Sequence, residues 1–103
     1  MQSAELAKRM KSKQPPTVVD VRSSMEFRHG HIPGAIHAPT WKILFRVAPL
    51  PPDRGVELVV TCEHGPRAQL AKALLMNMFG YRNVDLLDGH MSGWRQAGRS
   101  LEK

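Results

Sequence analysis

The segment between residues 58 and 80 constrains the fold more than any other part of the chain. Residues 58–61 form a short apolar run rich in β-branched side chains, which is typical of a strand buried on both faces. Pro66 suits the first turn of a helix, and Gly80 suits the left-handed residue just past its end. Cys62, the only cysteine, therefore falls in a loop that joins a buried strand to a helix.

A cysteine in such a loop has a characteristic electrostatic environment. Backbone N–H groups converge there at the positive end of the helix dipole, which lowers a cysteine pKa from about 8.5 to roughly 3.5–7.5. We therefore expect Cys62 to be a thiolate at neutral pH. The helix that supplies this field is predicted to turn one apolar face to the core. The residues of that face are Leu70, Leu74, Leu75 and Met78.

Strand-like and helix-like segments alternate along the rest of the chain. The predicted strands are residues 17–21, 35–38, 58–61 and 84–87. Such alternation is typical of an α/β fold with a small, mostly parallel sheet and helices on both faces. A chain of 103 residues without an internal repeat is expected to form a single domain over 1–103.

Local signals define the connection between the first two strands. Ser23 and Glu26 have the spacing of a capping box, and Gly30 is suited to end the short helix that they begin. Pro33 and Gly34 match the central pair of a type II turn that leads into the second strand.

Two further helices are predicted from their first residues and their apolar spacing. Thr40 is predicted to cap a helix whose Trp41 and Phe45 are expected in the core rather than at the mouth of a pocket. A last helix is predicted to begin at residues 89–90 and to stop at Gly98. Its expected core residues are Met91 and Trp94.

The charge balance favours anionic partners. The formal net charge is +6, and part of the excess lies in Lys8, Arg9, Lys11 and Lys13. We interpret this cluster as the solvated face of a first helix rather than a nucleic-acid surface, because no aromatic residues are interleaved to stack on bases. Small anions and acidic protein surfaces are the partners that such a domain attracts.

Composition and cysteine usage exclude other classes. No apolar run is long enough for a membrane span or a leader peptide, so we expect a cytoplasmic protein that does not enter membranes. One cysteine cannot form an internal disulfide. His29, His31 and His37 invite a metal hypothesis, but no carboxylate or thiol completes a coherent ligand set, so neither a metal nor a cofactor is expected.

Four segments in a fixed order resemble one known family. They are residues 18–22 with Glu26 and Phe27, residues 30–36, residues 62–68, and residues 87–94. Together they make the chain similar to the rhodanese-like domains over nearly its whole length. The resemblance implies a sulfurtransferase that takes a sulfane sulfur from thiosulfate or a persulfide donor. The acceptor would be a thiol, cyanide or a sulfur-acceptor protein.

The same resemblance implies roles within the loop. Cys62 would be the nucleophile that becomes a persulfide. The residues implied in substrate binding are Glu63, His64, Gly65, Pro66 and Arg67. Their backbone N–H groups would hold the outer sulfur, except at Pro66, which has none, and the Arg67 guanidinium would grip an anionic donor. His64 is interpreted as acting through its backbone rather than its imidazole.

Two alternatives and one structural interpretation accompany this hypothesis. Four residues separate Cys62 from Arg67, whereas phosphatase relatives have five, so a phosphatase ranks behind a sulfurtransferase. A non-catalytic module that binds a protein partner, with an inert or redox-sensing cysteine, is the other alternative. Asp20 and Arg22 are interpreted as structural, with Arg22 expected to pair with Glu26.

Overall fold

The computed structural model describes all 103 residues as four strands and five helices around one sheet. The strands are β1 (Thr17–Asp20), β2 (Ile36–His37), β3 (Leu58–Thr61) and β4 (Val84–Leu86). The helices are α1 (Ser3–Arg9), α2 (Ser24–His29), α3 (Thr40–Leu44), α4 (Pro66–Asn77) and α5 (His90–Gln96). All strand pairs are parallel, in the order β2-β1-β3-β4, which confirms the predicted α/β class.

The centre of the sheet explains why β3 is uniformly apolar. β3 lies between β1 and β4, and all four of its residues are buried. Helices cover both faces of the sheet. On one face a buried cluster joins Val60 of β3 to Leu75 of α4, and the cluster on the other face includes Leu6 of α1 and Trp94 of α5. No helix is both long enough and apolar enough to cross a bilayer.

Parallel register aligns the ends of β1 and β3. Asp20 pairs with Thr61, so both strands end at the same edge of the sheet. Because open parallel sheets bind ligands at the carboxyl ends of their strands, the residues that follow Asp20 and Thr61 are placed where a site is expected. Three predicted strands extend one residue beyond the carboxyl ends of the observed strands. At each of these positions one backbone hydrogen bond continues the pairing of the strands. These bonds are Val21 N–H to Thr61 O, Ala38 N–H to Asp20 O and Leu87 N–H to Val60 O.

The face of α4 that meets the sheet differs from the predicted one. Leu75 is buried as expected, but Leu70 is 54% exposed and Met78 is also exposed. Small residues, Ala68 and Ala71, occupy the buried face instead. Alanine side chains let the helix approach the sheet closely, which turns the bulkier side chains outward. The prediction weighted large apolar residues and is wrong for Leu70 and Met78, whereas Leu75 and the half-buried Leu74 pack in the core as expected.

Helix α3 also differs from the prediction. Trp41 is 57% exposed and Phe45 is 69% exposed, so the expectation that both belong to the core is wrong. Ile43 is the residue of this helix that is buried, because a helix this short can turn only one narrow face inward. Thr40 does not cap the helix: Pro39 precedes it, and the Thr40 hydroxyl is buried without a hydrogen-bond partner.

The other local signals are confirmed. Ser23 and Glu26 form the capping box, with both reciprocal hydrogen bonds present. The turn at Gly34 has the positive φ of 80° that a type II turn requires at its third residue, and the Ala35 N–H donates to the Ile32 carbonyl at 3.0 Å. Helix α5 begins at His90 and buries Met91 and Trp94, as predicted.

Candidate active site

Cys62 lies directly after β3, at the carboxyl end of the sheet, and its side chain is fully buried. Its sulfur accepts a hydrogen bond from the Gly65 N–H at 3.0 Å. Gly65 adopts a φ of 131°, which side-chain-bearing residues rarely adopt, and this conformation turns the loop back toward the sulfur before α4 begins at Pro66. The loop therefore directs a backbone donor at the cysteine, as the sequence predicts.

The start of α5 holds the same loop from the other side. The Met91 N–H donates to the Cys62 carbonyl at 3.0 Å, and the Ser92 N–H donates to the Glu63 carbonyl at 3.3 Å. These are free N–H groups of the first helical turn, which have no partner inside α5. The conformation of the loop is thus fixed by β3, α4 and α5 together.

His90 is a residue of this site that sequence reasoning used only as a helix start. Its Nδ1 atom accepts the backbone N–H of Cys62 at 3.4 Å, and its side chain is buried. Burial lowers the pKa of His90, and nearby His64 lowers it further, while Asp88 acts in the opposite direction. The ring is therefore neutral, with Nδ1 free to accept. The signal available in the sequence was its position directly after Gly89, next to the predicted site edge.

Glu63 follows the cysteine, yet its carboxylate does not stand alone beside the sulfur. It pairs with Arg22 at 3.4 Å and with Arg95 of α5. Glu63 is thus neutralised by Arg95 together with Arg22, whose guanidinium it shares with Asp20.

Arg22 is a buried connector rather than a partner of Glu26. Its guanidinium forms a two-pronged contact with Asp20, with distances of 2.8–3.1 Å, and donates to the Gly30 carbonyl at 2.8 Å. The structural interpretation of Asp20 and Arg22 fits this geometry, but the predicted pairing of Arg22 with Glu26 is wrong. Glu26 instead points toward α4, where it pairs with the more exposed guanidinium of Arg67.

Arg67 and Glu26 form a bidentate ion pair across the site. The two nitrogen-to-oxygen distances are 2.7 and 3.0 Å. The hydrogen bonds from Arg67 are the main reason why the pKa of Glu26 falls to about 2. The Arg67 side chain is still 44% exposed, so part of the guanidinium faces solvent.

A cavity of about 360 Å³ lies beside this ion pair. Its polar lining consists of Ser23, Ser24, Thr40 and Arg67, and its apolar lining includes Trp41 and Leu70. Thr40 lines it with its other atoms, because its hydroxyl oxygen is buried. The Ser23 hydroxyl already donates to the Glu26 carboxylate at 3.0 Å. The Ser24 hydroxyl and the solvent-facing part of the Arg67 guanidinium provide donors for a small oxyanion.

The remaining predicted residues occupy different places. The His64 side chain is exposed, whereas Pro66 starts α4 as expected. His31 and His37 stack on Phe27, and their ring nitrogens contact backbone carbonyls at 2.8 Å. No group of three or more histidine, cysteine or carboxylate side chains is placed to hold a metal ion.

Comparison with known proteins identifies the family. The model of the rhodanese-like domain matches residues 3–97. A sulfurtransferase of Allochromatium vinosum is 34% identical over 96 residues, which are 93% of this chain and 87% of that protein. An HTH-type transcriptional regulator of Mycobacterium tuberculosis, Rv0324, is 35% identical over 100 residues. The match covers 97% of this chain but only 43% of the regulator.

A solved structure shares the same architecture. The thiosulfate sulfurtransferase of Pseudomonas aeruginosa superposes with a TM-score of 0.86 at 27% identity, over 99% of this chain and 19% of that protein. The family match, the sequence relatives and the fold all agree. The chain belongs to the rhodanese-like domain family.

Proposed function

We propose that this chain is a sulfurtransferase that carries a sulfane sulfur as a persulfide on Cys62. The observation that supports this most directly is the Gly65 N–H, which points at the Cys62 sulfur at 3.0 Å from the end of a loop that opens α4. Relatives that are sulfurtransferases, with about one third of their residues identical, agree with the proposal.

The reaction has two displacement steps. The Cys62 thiolate attacks the outer sulfur of thiosulfate, the sulfur–sulfur bond of the donor breaks, and sulfite leaves with the bonding electron pair. The product is a Cys62 persulfide whose outer sulfur carries the negative charge. Cyanide or a thiolate then attacks that sulfur and regenerates the thiolate, giving thiocyanate or a new persulfide.

The loop residues have distinct tasks in this scheme. The N–H groups of residues 63–65 and 67 stabilise the charge on the outer sulfur. Arg67, together with the Ser24 hydroxyl in the cavity, binds the sulfonate end of the donor. Glu26 competes for the same guanidinium, so the donor must share Arg67 or displace Glu26.

Loading with thiosulfate tests the proposal. The protein is incubated with excess thiosulfate, the thiosulfate is removed, and the intact mass is measured by mass spectrometry beside that of a Cys62→Ser variant. We expect the wild type to gain the mass of one sulfur and to lose it on addition of cyanide, with release of thiocyanate. An equal gain in the Cys62→Ser protein would refute the cysteine mechanism.

A non-catalytic module is the second candidate, because the Cys62 thiol is fully buried and one relative is a transcriptional regulator. In that case Cys62 would form no adduct with either thiosulfate or a small persulfide donor. A mass gain with a persulfide donor alone would keep the sulfurtransferase proposal and would change only the donor. A phosphatase is disfavoured by the short loop, and phosphate release that depends on Cys62 would contradict this.

A further inference from the structure

Helix α3 exposes an apolar face that the fold leaves uncovered. Trp41, Leu44 and Phe45 are all exposed, while Ile43 alone packs into the core. The three residues lie at spacings of three and four, so they share one side of the helix. Val47, three residues beyond the end of α3, is exposed as well. Contiguous exposed apolar side chains of this kind mark interaction sites.

The chain segments that carry this face contain no acidic residue, and nearby Glu26 is paired with Arg67. No aspartate or glutamate occurs between residues 27 and 52, or between residues 64 and 84, so α3 and α4 carry none. Both segments contain basic side chains, among them Lys42, Arg46 and Lys72. The Lys42 ammonium lies 5.6 Å from the ring centre of Trp41, which places positive charge directly on the apolar face.

The same face reaches the candidate active site. Trp41 lines the cavity beside the loop together with Arg67 and Leu70. Leu70 is the exposed residue of α4 that the helical pattern had assigned to the core. A partner that covers Trp41 and Leu70 would therefore lie next to the last residue of the Cys62 loop.

We propose that Trp41, Leu44 and Phe45, with Leu70 and the basic residues around them, form the docking surface for a sulfur-acceptor protein. The partner presents an apolar contact surrounded by acidic side chains, and close to it a cysteine thiolate. This inference rests on the proposed function. The partner thiolate attacks the outer sulfur of the Cys62 persulfide, the bond between the two sulfurs breaks, and Cys62 leaves as a thiolate.

Charge decides between the occupants of this surface. A second copy of the chain would bring a formal net charge of +6 against a basic surface, which is unfavourable. An anionic bilayer would satisfy charge and apolar contact but supplies no thiol to accept sulfur. An acidic protein with an exposed cysteine satisfies all three requirements.

Two synthetic peptides test the docking surface. Each has one cysteine between leucines; glutamates flank this core in one peptide, and lysines replace them in the other. The persulfide of the full chain is mixed with each peptide, and loss of the outer sulfur is followed by mass spectrometry. At low salt the glutamate peptide should accept sulfur at least about tenfold faster, and high salt should remove the difference.

Matched variants localise the effect. Lys42→Glu with Arg46→Glu should abolish the preference, whereas Lys11→Glu with Lys13→Glu, which changes net charge equally, should preserve it. Phe45→Ser should slow transfer to the glutamate peptide severalfold, and Met78→Ser, at another exposed apolar site, should not. Discharge by cyanide should be the same in all of these proteins.

The outcomes separate this inference from the proposed function. Equal rates with both peptides, while cyanide still discharges the persulfide, would overturn the docking surface alone. Absence of any persulfide would refute sulfur transfer. Binding of a glutamate peptide with serine in place of cysteine, measured by tryptophan fluorescence, would then show whether the docking surface exists, and no binding would overturn it. Dimerisation through Phe45, or binding to anionic phosphatidylglycerol vesicles without peptide preference, would also overturn the acidic-protein assignment.

Discussion

The Nε2 atom of His90 lies 3.3 Å from the point that a Cβ on Gly65 would occupy. The other ring nitrogen accepts the backbone N–H of Cys62. The buried imidazole of His90 thus packs against Gly65, whose N–H donates to the Cys62 sulfur, and also accepts a hydrogen bond from the backbone of Cys62. The turn of the loop and the start of α5 are therefore coupled through a single side chain.

Replacement of Gly65 should damage both stability and chemistry. A Gly65→Ala protein must adopt a φ of 131° and must also push the His90 ring away. We expect persulfide formation to slow by about tenfold or more, because the N–H donor to the sulfur moves. Gly80→Ala is the control: its φ of 76° is strained, but nothing lies near the added carbon. That change should cost about 1 kcal/mol of stability and leave persulfide formation unchanged.

Acidification should destabilise the protein through His90. Burial lowers its folded-state pKa, while the unfolded chain protonates near 6.5, so the folded state binds fewer protons. The stabilising contribution of the neutral ring is complete above 6.5 and is lost as the pH falls below that value. His90→Gly is the variant that tests this, because glycine adopts the φ of 52° at this position without strain.

Urea unfolding at about pH 7 and about pH 5 measures this effect. The His90→Gly protein should lose less stability between the two pH values than the wild type. An identical pH dependence in both proteins would show that the other histidines account for it.

Glu26→Gln should change donor binding. Without the carboxylate, Arg67 loses its bidentate partner and becomes available to thiosulfate. We expect the KM for thiosulfate to fall severalfold at low salt with little change in kcat, since glutamine at this position can still accept from the Ser23 N–H. Steady-state thiocyanate assays measure both constants, and a raised KM would contradict the competition described here.

The same variant changes the stability at low pH. The folded-state pKa of Glu26 is about 2, below the ordinary value of 4.5. Its ion pair therefore contributes fully above about 4.5, and the contribution is lost as the pH falls toward 2. Thermal melts across this range should show a smaller loss of stability in Glu26→Gln than in the wild type.

The buried pair of Asp20 and Arg22 should be the most sensitive ionic contact. Asp20→Asn leaves the Arg22 guanidinium buried without a full counter-charge and should cost about 3–5 kcal/mol of stability. Arg9→Gln breaks a pair with Glu57 that is about one third exposed, and should cost much less. Chemical denaturation of both variants beside the wild type checks the difference.

The parts of the fold that sequence reasoning predicts are those set by local chemistry. The capping box at Ser23, the turn at Gly34 and the strand at residues 58–61 depend on neighbours within a few positions, and each is confirmed. The cysteine loop follows from the same logic, because a strand, a glycine and a proline in succession allow few conformations.

The parts that it does not predict depend on contacts between distant elements. Leu70 and Trp41 are apolar at helical spacing, but which face meets the sheet is decided by how closely Ala68 and Ala71 allow α4 to approach. Arg22 is close in sequence to both Asp20 and Glu26, and it pairs with Asp20 because Glu26 pairs with Arg67 of the distant helix α4. His90 enters the site because α5 begins beside β3, which no local pattern encodes.

The pairing of Glu63 has a consequence for protein engineering. Its carboxylate is accompanied by Arg22, from the end of the first strand, and by Arg95, from the last helix. A graft of residues 62–67 into another scaffold of this fold would import the acid without the second guanidinium. The transplanted loop would then place an under-neutralised charge beside its own nucleophile, so the smallest portable unit of this site includes Arg95.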